Sequence, residues 1–146
     1  MQVHFGVVQG YTVLELLLVA GLVSSLLLAG APALTQLAAS QELRAEARLL
    51  LADVRQARMN AISSGTDVTF QWTPELYSKL SVYTAFGGRQ GVTFTGRSGM
   101  AGFSSGRFQM THSQLPRARV DIIVSSLGRV RWCQPQRELP GVPLCG

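Results

Sequence analysis

The sequence predicts an α+β fold: a long N-terminal helix packed on a small antiparallel β domain. Three observations carry this. A run without a charged residue extends from Leu16 to Gln41. Past Ser40 the pattern turns amphipathic, with Leu43, Ala47, Leu50, Val54, Ala57 and Ala61 spaced three and four residues apart. After Gly65 the chain breaks into short β-branched or aromatic runs punctuated by glycines.

The apolar run comes first. Roughly 20 apolar residues span a bilayer as a helix, and this run is long enough. A secretory signal peptide is the competing reading, but its apolar core is only about 7–15 residues long. This run is longer and continues into the amphipathic pattern without a loop, so a retained membrane helix over residues 11–39 is expected. Pro32 removes one backbone hydrogen bond and clashes with the carbonyl of Leu28, which predicts a kink or local melting.

In the amphipathic half, Leu51 and Ile62 widen the apolar stripe, while Arg44, Glu46, Arg48, Asp53, Arg55 and Arg58 lie largely off it. A two-stranded coiled coil is the alternative. The β-rich remainder needs a helix to cover one face, which favours helix on sheet. The helix should stop at residues 63–65, with Gly65 as a left-handed cap.

Strands are expected at 68–72, 79–84, 91–96, 106–110 and 118–124, and the stretch GRSGMAGFSSG (96–106) as a mobile loop. Residues 40–146 make up the globular domain.

Charge is uneven along the chain. From Arg89 onward there are eight arginines against two acids, Asp121 and Glu138, whereas the first 88 residues hold five cations and six acids. The distal half is therefore drawn to polyanions. Cys133 and Cys145 either close a short loop as a disulfide, if the distal domain lies outside the cytoplasm, or remain free thiols. No GxSxG, P-loop or Cys–His constellation stands out, and neither His4 nor His112 has ligand spacing. Neither an enzyme nor a cofactor is expected.

Glu15 is anomalous within GYTVLELLLVAGLVSSLLLAG (10–30). A carboxylate deep in hydrocarbon costs about 3 kcal/mol. It either stays wet at the membrane face or has a partner. Cleavage after Gly10 would give Tyr11 an α-amino group, largely cationic near neutral pH. Glu15 of one chain could then neutralise the amine of a neighbour and set the axial register of a filament.

Gly10, Tyr11, Thr12 and Glu15 within an apolar run resemble the class III signal of type IV pilins and pseudopilins. The resemblance implies removal of residues 1–10 by a prepilin peptidase, methylation of the Tyr11 amine and a filament of major and minor pilins. It also implies an inner-membrane anchor with a periplasmic C-terminal domain. The leader MQVHFGVVQG departs from such signals in having no Lys or Arg. The RQAR segment near the helix end and the distal G-R-x-R turn resemble the FimT/GspH branch of this family. That branch implies either a minor pilin that binds double-stranded DNA during natural transformation or a minor pseudopilin of type II secretion.

The stretch ARVDIIVSSLGRVRW (118–132) reads as strand, turn, strand. A two-residue turn would place Arg129 and Arg131 on the face of the core valines. A three-residue turn, Ser126–Gly128, pairs Ser125 with Arg129 and Ile123 with Arg131, and puts Val130 and Trp132 on the buried side. The second register avoids burying charge and gives Gly128 the left-handed position. It makes a cationic ridge of Arg129, Arg131 and Arg119, with Arg117 beside it and Arg137 folding back if the cysteines are bonded. Arginine forks grip phosphate oxygens. The family resemblance assigns DNA contact to Gly128, Arg129, Val130 and Arg131. The alternative is a solvated arginine pair, with Asp121 neutralising part of the ridge.

Overall fold

The computed structural model describes residues 12–73, 80–87, 89 and 91–146. Gly10 and Tyr11, the expected cleavage pair, lie outside the described residues. The chain divides into two units, Met1–Thr35 and Gln36–Gly146.

One helix, α1, runs from Val13 to Ser64. Thr12 caps it: the Glu15 amide donates to Thr12 Oγ1 at 3.3 Å and to its carbonyl at 3.0 Å. Glu15 thus occupies the first turn, where the helix dipole favours an acid. In the first unit the large apolar side chains from Val13 to Leu27 are all exposed. The helix is long and apolar enough to cross a membrane. Its hydroxyls bond inward: Ser24 donates to Ala20 O, Ser25 to Leu22 O and Thr35 to Pro32 O, at 2.7–2.9 Å. No polar group of these three side chains then needs water, which suits an apolar surround. The helix is unbroken at Pro32, so the local melting expected there does not occur.

In the second unit the spacing of the amphipathic half determines what is buried. Leu43, Ala47, Leu50, Leu51, Val54, Ala57 and Ala61 all enter the core, and Ala39 joins them. Ile62 does not; it stays 43 % exposed at the rim of the stripe. The helix ends at Ser64, and Gly65 (φ 69°) donates its amide to Ala61 O.

Among the described residues six strands follow: β1 (Val68–Gln71), β2 (Leu80–Ala85), β3 (Gly91–Phe94), β4 (Gly106–His112), β5 (Leu115–Val124) and β6 (Val130–Cys133). They form an antiparallel β1–β3 pair and an antiparallel four-stranded sheet in the order β2–β4–β5–β6. Alternation assigns the faces. Phe108, Met110, Ala118, Val120, Ile122 and Val124 point into one core with the helix stripe, Phe86 and Phe94. Phe108 lies at its centre, edge-on to Phe70 at 5.8 Å and tilted against Phe86 at 4.6 Å. β5 begins three residues before the expected 118, because Leu115 already pairs with His112 across a bulge.

The C-terminal tail is fastened to β6. Cys133 and Cys145 form a disulfide. The buried Gln134 side chain donates to Leu139 O (2.8 Å) and Val142 O (2.6 Å) and accepts from the Glu138 and Leu139 amides. Leu139 and Val142 thereby close one end of the core.

Candidate nucleic-acid interface

The β5–β6 hairpin takes the three-residue register. Ile122 faces Trp132, Ile123 faces Arg131 and Val124 faces Val130. The Ser125 amide donates to Arg129 O at 3.0 Å, and the Gly128 amide to Ser125 O at 2.9 Å. Gly128 sits at φ 77°, the left-handed conformation that closes such a turn.

Gly128 is nevertheless buried. A Cβ at this position would lie 2.0 Å from the carbonyl oxygen of Gly99. The close approach that glycine permits is therefore to the chain's own loop. Stretch 96–106, expected as a mobile loop, is a series of bonded turns seated on the hairpin. The Gly99 amide donates to Thr95 O, and the Ala101 and Gly102 amides both donate to Ser126 O, at 3.0 and 2.9 Å. Arg58 Nε reaches from the helix to Gly99 O at 3.0 Å. Helix, loop and hairpin tip are locked together by these bonds.

Arg129 and Arg131 are exposed, and so are Arg117 and Arg137. Arg119 has a different environment. Its Nη2 donates to Asp121 Oδ2 at 3.2 Å, and its Nε lies 3.0 Å from Oδ1, close enough for strong attraction though without hydrogen-bond alignment. Arg107 Nη1 stands 3.9 Å from the same carboxylate. Asp121 is only 2 % exposed, so Arg119 serves chiefly to neutralise a buried charge. Asp121, the acid expected to neutralise part of the ridge, is thus engaged by Arg119 and Arg107.

The helix adds three residues that the hairpin pattern did not reveal. Arg55, Arg58 and Met59 of α1 line a groove of about 580 Å³ with Arg129, Val130 and Arg131. Arg55 Nη2 contacts Val130 O at 3.3 Å, which brings its guanidinium beside the ridge. The RQAR segment carried a signal for this, since Arg55 and Arg58 are three residues apart and share a helix side.

Neither aromatic near the ridge in sequence offers a free ring. Phe108 is fully buried. Trp132 is half-buried, with the Arg48 guanidinium 5.5 Å from its ring centroid. The chain matches no protein-family model, no curated protein and no solved structure.

Proposed function

We propose that this chain is a minor pilin that binds double-stranded DNA without sequence preference, as part of a DNA-uptake apparatus. The observation that carries the proposal is the groove in which exposed Arg129 and Arg131 stand beside Arg55 and Arg58. Guanidinium forks on a firmly held turn match the geometry of phosphate oxygens. Contacts to phosphate hold a duplex without reading its bases. The pilin part of the proposal rests on the class III signal around Gly10 and Tyr11, on Glu15, and on an apolar helix half whose side chains face outward. Such a surface needs a bilayer or neighbouring subunits to cover it. Processing after Gly10, methylation of Tyr11, a periplasmic distal domain and assembly with other pilins follow from the same proposal.

An electrophoretic shift with the full chain in detergent tests the binding. Duplexes of unrelated sequence should shift alike, with log K falling on log salt at a slope of about −3 for three or four phosphate contacts. Arg129→Ala with Arg131→Ala should weaken binding at least about a hundredfold, because two charge-assisted contacts are lost. If duplex fails to shift even at low salt, while a specific pilin or pseudopilin partner is retained, the chain is a structural subunit of the GspH type.

A further inference from the structure

Phe103 is fully exposed, at 104 % of its reference area. Its position is defined by bonds on both sides. It sits in a 3-10 turn, Gly102–Ser104, between loop 96–101 and β4. On one side the Ala101 and Gly102 amides hold Ser126 O of the hairpin. On the other, Ser104 Oγ lies within reach of two carbonyls that can take its one proton, Thr93 O (2.8 Å) and Ala101 O (2.6 Å), and accepts from the Thr93 amide (3.0 Å). The ring is therefore presented to solvent by a braced turn. Leu127 at the hairpin tip and Met100 beside the turn are exposed as well, at 60 % and 39 %.

The charge around this apolar tip indicates what it meets. Through Ser126 the tip is bonded to the hairpin turn that carries exposed Arg129, with exposed Arg131 two residues further on. An exposed ring on a turn bonded to the arginine-bearing hairpin suits a ligand with flat rings on an anionic backbone. We propose that Phe103 is a stacking platform for an unpaired nucleobase, so that the hairpin also takes single-stranded nucleic acid or a frayed duplex end. Every base has a π-face, so stacking of this kind is tolerant of sequence. Backbone phosphates would lie on Arg129 and Arg131 while a base leaves the strand to cover Phe103. The inference rests on the DNA-binding reading given above and adds a substrate class to it.

The test compares three fluorescent probes on the full chain in detergent: oligo-dT, an abasic strand of equal length and a closed duplex circle without ends. Phe103→Ala should weaken oligo-dT binding by about five- to a hundredfold, as expected for loss of one stacked base. Binding to the abasic strand and the closed duplex should stay within about twofold, and Phe103→Trp should restore oligo-dT affinity. An unchanged oligo-dT affinity in Phe103→Ala, with duplex binding intact, overturns the stacking platform and leaves duplex binding standing. Loss of all three probes with Phe103→Ala overturns it too, since the residue would then be structural. Absence of binding by the wild-type chain to every probe at low salt removes both proposals together. If Phe103→Ala instead abolishes binding to vesicles of anionic phospholipid and spares oligo-dT, the tip belongs to a bilayer and the stacking platform is overturned.

Discussion

Two pairs of arginines share the outer face of one sheet and differ in what they do. Arg107 and Arg119, on β4 and β5, surround Asp121, which is 2 % exposed. Arg129 and Arg131, at the hairpin turn and on β6, stand in solvent beside the groove. The chemistry of the side chain is the same in both pairs, so the difference lies in the neighbour. A buried carboxylate needs its partner, and that partner's charge is largely spent within the fold. An arginine at the sheet edge has no such obligation and remains available to an external anion. Counting cations in the distal half therefore overstates the charge that a polyanion would meet.

Substitutions can break or sharpen this contrast. The largest effect is expected from Gly128→Ala. The added Cβ would meet Gly99 O at 2.0 Å, and φ 77° is strained for alanine. A loss of about 3 kcal/mol in chemical denaturation is expected, together with weakened duplex binding because the exposed pair loses its support. Arg119→Ala comes next. It should cost about 2 kcal/mol, below the full range for a broken buried pair because Arg119 is itself 37 % exposed and Arg107 remains near Asp121. Its duplex affinity should stay within about threefold of wild type if, as proposed, phosphate contact falls mainly to the exposed pair. A salt slope for Arg119→Ala shallower by about one would place Arg119 in the binding surface and erase the contrast. The smallest effect is expected from Arg48→Ala, which removes the cation above Trp132. About 0.5–1 kcal/mol of stability should go, with no change in binding.

The helix shows why some features are legible and others are not. Leu43, Ala47, Leu50, Val54, Ala57 and Ala61 were assigned to the core by spacing alone, and all are buried. Periodicity reports which residues share a face, and a helix with one apolar face has one way to turn it. Ile62 widens the same stripe and yet is exposed, because it lies at the rim of the stripe, beside the fully buried Ala61. The hairpin register was legible for a comparable reason. Only the three-residue turn hides Val130 while leaving Arg129 and Arg131 in water, and Gly128 supplies the left-handed residue. The loop 96–106 was not legible. Its glycines suggested slackness, whereas Gly99 and Gly102 are where it bonds to the helix and the hairpin.

By itself the sequence determined the α+β layout, the apolar and amphipathic halves of the helix, the turn at Gly128 and the excess of arginine after residue 88. Each is a local property, set by side-chain period or by the backbone freedom of one residue. The tertiary structure alone decided that Asp121 is buried with Arg107 beside it, that Arg55 and Arg58 join the hairpin arginines, and that Phe103 is left bare. These depend on which residues distant in the chain come within a few ångströms of each other. Charge pairing and burial are set by that proximity, and spacing along the chain does not encode it.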